Sequence, residues 1–191
     1  MVLSRSIRRV TVLAAILIMV VGCDALTPAP TPTPELVSVI DPPVQIANFT
    51  LTDQYGNPAH LSDYSGKLVL LAFGYTHCPD VCPVTLAHFK LVKMILGDQA
   101  AKVAFLFISV DGKRDTPTRL KEYLPSFDAS FVGVMGTDAT VRAIITEFGG
   151  TYTLNDGGGL RIEYTVDHTA ASFALDGSGK VDSQVRLRYR T

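Results

Sequence analysis

The chain has no tryptophan, only three cysteines in 191 residues, and almost no imbalance of charge, with 17 basic side chains against 18 acidic ones. Each shortage removes a class of protein. Nucleic-acid binding is dominated by neutralising phosphates, and a balanced chain without basic clusters offers no footprint for it. Three cysteines cannot build the multi-bridge framework of a small secreted scaffold. There is no internal repeat. The longest apolar run falls short of the ~20 residues that a bilayer-spanning helix needs.

What stands at the start reads as a targeting segment. Arg5, Arg8 and Arg9 precede an apolar run of 12 residues at 10–21. That is the length of a signal-peptide h-region. The run ends at Val20-Val21-Gly22-Cys23, which resembles the lipobox of a bacterial lipoprotein. The resemblance implies a signal peptide over 1–22, cleavage before Cys23 and a diacylglycerol on the Cys23 sulfur. The protein would then sit on the extracytoplasmic face of a bacterial cell membrane. Without residues 1–22 the chain keeps 14 basic and 18 acidic residues, a formal charge of −4. Residues 24–35 (DALTPAPTPTPE) carry proline at alternate positions, a pattern that favours polyproline II. Residues 23–42 are therefore expected to be a lipidated cysteine and a semi-rigid linker, and 43–191 the folded domain.

The domain alternates strand and helix signals. Phe49, Leu51 and Leu61 flank the turn Tyr55-Gly56-Asn57-Pro58, the pattern of an N-terminal hairpin. Residues 67–74 (KLVLLAFG) and 102–110 (KVAFLFISV) read as strands buried on both faces. Leu86, Phe89, Val92 and Leu96 recur at helical spacing within 83–96. Thr116-Pro117 starts a helix expected to run to about Phe127. A short strand follows at 131–134, then a helix capped by Thr137 and stopped by Gly149. Residues 155–159 (NDGGG) read as a loop, and strands at 170–175 and 180–189 as a C-terminal hairpin. The order predicts an α/β fold, a thioredoxin-like mixed sheet with helices on both faces.

The chemistry concentrates at residues 74–83 (GYTHCPDVCP), where a buried strand gives way to a helix. Ligands of open α/β sheets bind outside the carboxyl ends of the strands. Helix N-termini favour thiolate over thiol. Cys78 and Cys82 lie one helical turn apart, so both sulfurs can face one side. Two convergent thiolates suit a soft ion such as Cu(I). A disulfide is the other reading of the pair.

This block resembles the SCO/SenC family of copper chaperones for cytochrome c oxidase assembly. The resemblance continues through Ser109-Val110-Asp111, Arg114-Asp115-Thr116-Pro117 and Tyr164-Thr165-Val166-Asp167-His168-Thr169. It implies that Cys78 and Cys82 bind copper, as Cu(I) or Cu(II), through sulfur, and His168 through an imidazole nitrogen. It implies a metallochaperone rather than an enzyme, with a copper donor and a thiol reductant as partners. The recipient would be the binuclear copper site of cytochrome c oxidase subunit II. Family members usually continue into a further helix on the sheet, which is expected to be missing from a chain ending at Thr191.

A thiol–disulfide oxidoreductase would use the same fold and the same pair, Cys78 and Cys82, as a redox-active couple. Three features argue against it. Three residues rather than two separate the cysteines, no tryptophan precedes them, and Asp167-His168-Thr169 stands where thioredoxins place a proline.

Overall fold

The computed structural model describes residues 37–155, 157 and 163–186. The expectations for the signal peptide, Cys23, the linker up to residue 36 and the last five residues lie outside that range. So do Asp156, Gly158 and Gly159 of the expected loop.

In chain order the strands are β1 (Val37–Gln45), β2 (Thr50–Asp53), β3 (Pro58–His60), β4 (Leu68–Gly74), β5 (Val103–Ser109) and β6 (Val132–Met135). They continue with β7 (Tyr152–Leu154), β8 (Val166–His168), β9 (Ala171–Leu175) and β10 (Lys180–Arg186). The helices are α1 (Val81–Leu96), α2 (Pro117–Tyr123) and α3 (Asp138–Glu147). Eight strands form one mixed sheet in the order β1-β10-β9-β4-β5-β6-β2-β3, while β7 and β8 form a separate ribbon. β4, β5 and β6 run parallel, and the flanking pairs are antiparallel. This is the thioredoxin-like arrangement.

The two apolar runs lie at the centre because they have no polar face to give to water. Alternation along the strands divides the core in two. On one face Phe105 meets Phe89 of α1 at 5.9 Å between ring centroids, and Phe107 meets Tyr123 of α2 at 6.4 Å. On the other, Phe73 meets Phe148, just beyond α3, at 5.4 Å and Phe173 of β9 at 6.1 Å. Helices therefore cover both faces, as the strand–helix order predicts.

The domain begins earlier than Pro43. β1 starts at Val37 and pairs antiparallel with β10. Its register slips between Val39 and Val44, across Pro42 and Pro43, which have no N–H to donate. Proline is tolerated at a bulge on an edge strand, which is where these two lie. α2 is also shorter than expected. It ends at Tyr123 and tightens into a 3-10 turn at Leu124–Ser126, because Pro125 cannot donate back to the preceding turn.

Candidate metal centre

β4 ends at Gly74, and the chain turns through Tyr75, Thr76 and His77 into α1. Cys78 N–H donates to Tyr75 O at 3.3 Å, closing the turn. Asp80 occupies the N-cap position but makes no capping bond with its side chain. Cys82 therefore enters the first turn of α1 pointing at the sheet, and is 2 % exposed. It fits there because residue 74 is glycine. A Cβ at that position would lie 2.9 Å from Cys82 Sγ and 2.6 Å from the Phe107 ring.

His168 arrives from the separate ribbon. Tyr152 pairs with His168 and Leu154 with Val166. Two contacts pin this ribbon over the cysteine turn. Val166 N–H donates to Tyr75 Oη at 3.3 Å, and the Tyr75 ring meets the His168 ring edge-to-face at 6.1 Å. Arg114 adds a third tie. Its Nη1 donates to Tyr164 O at 2.8 Å, and its guanidinium stacks 3.6 Å from the Tyr164 ring centroid. Asp111, fully buried, accepts from Arg114 Nε and Tyr164 Oη, each at 2.6 Å.

The result is one compact donor set. His168 Nε2 stands 3.3 Å from Cys82 Sγ, and the ligand atoms of Cys78, Cys82 and His168 all lie within 4.8 Å of one another. Both thiols are free. His168 Nδ1 lies 3.2 Å from Thr169 O. A proton on Nδ1 donates to that carbonyl and leaves the Nε2 lone pair for a metal, the usual outer-shell arrangement of a ligand histidine.

The two thiols share protons unequally. A hydrogen bond from the Cys82 thiol holds Cys78 far below the ordinary thiol range, against burial. His168 and the N–H groups of Asp80 and Cys82 add to the effect. Cys82 is pushed up by the same contact, by burial and by the charge on Cys78. Cys78 is thus the more acidic thiol of the pair, and a metal bound to both sulfurs displaces the proton of Cys82.

The other histidines of the domain do not join this donor group. His60 bonds to Thr50 at 2.8 Å, and His88 lies exposed on α1. His77 is not part of the donor group, and its Nδ1 stands 3.5 Å from Asp115 Oδ1. Met135, in β6, packs against the hydrophobic core. Sequence reasoning missed Gly74 as a space-maker, Tyr75 as the post under the ribbon and Tyr164 as its clamp. A glycine at the end of an apolar run is the only one of these signals that local sequence carries.

Fold and site together define a class: a thioredoxin-like domain with a soft-metal donor set at the carboxyl end of its central strands. The SCO1/SenC family model matches residues 39–190, and the chain belongs to that family. It is 33% identical over 145 residues to the SCO2-like protein of Rickettsia felis, covering 75% of this chain and 71% of that one. The structure of ScoI from Bradyrhizobium japonicum with copper bound is 39% identical. It covers 76% of this chain and 91% of its own, with a TM-score of 0.67. Yeast Sco1 with copper bound is 30% identical, covers 77% and 82%, and has a TM-score of 0.68. No helix among the described residues is long and apolar enough to cross a membrane.

Proposed function

We propose that this chain binds one copper ion through Cys78 Sγ, Cys82 Sγ and His168 Nε2. It passes the ion to the binuclear copper site of cytochrome c oxidase subunit II. One observation carries the reading: three donor atoms of the soft-metal type converge within 4.8 Å from segments 86 residues apart. The copper-bound structures of the two relatives support copper as the ion. Two thiolates and an imidazole form a three-coordinate site that Cu(I) tolerates, and the mixed donors can also hold Cu(II).

Transfer proceeds by ligand exchange. Cys82 is buried, whereas Cys78 and His168 are only partly covered. Incoming thiolates of a recipient reach the ion from that side and displace Cys78 or His168 first. Before loading, a thiol reductant must keep the pair open, since an oxidising compartment tends to join it. A copper donor then fills the site. The oxidoreductase alternative uses the same two sulfurs without the ion.

His168→Ala separates the two readings. The thiolates retain part of the Cu(I) affinity, while Cu(II), which relies more on nitrogen, is hurt more. The expected losses are several-fold for Cu(I) and about 10–100-fold for Cu(II), by analogy with the cost of weakening a ligand shell. Competition titration of the reduced protein measures both. Unchanged affinities, with disulfide exchange intact, would favour the oxidoreductase.

The proposed anchor has its own test. Cys23→Ser should leave the domain folded and copper-competent but release it from membranes. Fractionation and mass analysis decide this: wild-type protein without a lipid mass removes the anchor from the reading.

A further inference from the structure

Asp115 is a buried carboxylate that takes no part in holding the ion, yet it lies beneath the cysteine turn. It is 1 % exposed. It accepts from Ser109 Oγ and Thr76 Oγ1, each at 2.6 Å, and from Thr76 N–H at 3.1 Å. Among the described residues no lysine or arginine pairs with it directly. Arg119 Nε reaches only the Thr76 hydroxyl, at 3.1 Å, and His77 Nδ1 stands 3.5 Å off on the exposed side. Its buried neighbour Asp111, in contrast, pairs with Arg114 at 2.6 Å.

The carboxylate is close to the sulfurs. Ser109, which binds it, pairs in register with Gly74, and a Cβ on Gly74 would lie 2.9 Å from Cys82 Sγ. Neighbouring strands are ~4.8 Å apart, so the carboxylate lies within roughly 10 Å of that sulfur.

We propose that Asp115 is a specificity-determining residue of the copper site, whose fixed negative charge favours Cu(II) over Cu(I). This rests on the copper reading given above. Two thiolates and a neutral imidazole leave a Cu(I) complex with one net negative charge and a Cu(II) complex with none. A buried anion nearby penalises the first and not the second. Arg119, which donates to the same Thr76 hydroxyl, carries the opposing charge. At roughly 10 Å and an effective dielectric of ~20, one charge changes an equilibrium about tenfold.

The test measures Cu(I) and Cu(II) affinities separately in the reduced full chain, with Asp115→Asn and Arg119→Gln beside wild type. The asparagine keeps acceptor and size but loses the charge. It should shift the preference toward Cu(I) by about tenfold, the size of one such charge. Arg119→Gln removes the opposing charge from a partly exposed position and should shift the preference toward Cu(II) by a smaller factor. A purely structural role would lower both affinities together in Asp115→Asn, and that result overturns the proposal. Should the asparagine variant fail to fold, Arg119→Gln decides alone, and a shift toward Cu(I) or no shift overturns the proposal. The failure of the underlying reading looks different: wild type itself then binds no copper, or binds it independently of His168.

Discussion

Cys82→Ser is expected to reduce Cu(I) affinity by more than the ~10–100-fold typical for losing a mere outer-shell partner. Three effects act together. A hydroxyl is a hard, weakly acidic donor where a soft thiolate is wanted. The substitution removes the atom that sits 3.3 Å from His168 Nε2, and with it the group that spans the donor set. It also removes the hydrogen bond that chiefly holds Cys78 as a thiolate. Cys78→Ser should cost a comparable amount, because neither remaining pair contains two thiolates. The fold should survive both changes, since serine is smaller and isosteric with the thiol. Competition with a Cu(I) chelator under reducing conditions reads the result. If Cys82→Ser binds copper as tightly as wild type, the copper assignment fails and the oxidoreductase reading moves ahead.

Gly74→Ala should damage stability and copper binding together. Its Cβ would sit 2.6 Å from Phe107 Cε2 and 2.9 Å from Cys82 Sγ. Neither neighbour can give way cheaply, because Phe107 is 1 % exposed and Cys82 2 %. Overpacking of this kind costs about 1–3 kcal/mol, and each kcal/mol lowers Tm by roughly 2–4 °C in a domain of this size. The sulfur must also move away from His168, so affinity falls as well. Gly133→Ala is the control. Its Cβ would meet Leu124 Cδ1 at 2.5 Å, remote from the donors. It should lower Tm by a similar amount and leave copper affinity unchanged. Thermal melts and titrations on both variants separate the two effects. An alanine at 74 that keeps wild-type affinity would mean the Cys82 sulfur is not held by this contact.

The central strands were legible because β4 and β5 are apolar on both faces up to Ser109 at the end of β5, which is how a strand covered on both sides reads. α3 was equally plain: Thr137 caps it through a bond to Thr140 N–H at 3.2 Å, and Val141, Ile144 and Ile145 mark its buried stripe. β1 was not legible. Its residues up to Pro42 read as linker, and only the partner strand β10 shows that the pairing skips the two prolines. β7 and β8 were missed because three residues each are too few to display a period of two. That ribbon is nevertheless what presents His168.

The site divides the same way. Cys78 and Cys82 declare themselves locally by their spacing, although Cys78 lies in the turn before α1 and only Cys82 is on the helix. His168 was reached only through resemblance. Asp111, Arg114 and Tyr164 entered only as parts of the resembling segments, and nothing local in the sequence shows that they tie together over the ribbon.

The sequence by itself determined the layer order, the buried strands, the helix caps and the pair of thiols, because each depends on contacts within a few residues along the chain. The tertiary structure alone decided which histidine faces the sulfurs, why residue 74 must lack a side chain, and where a buried carboxylate lies relative to the ligands. Those depend on strand order and on contacts between distant segments, here 86 residues apart between Cys82 and His168, and local periodicity carries no record of them.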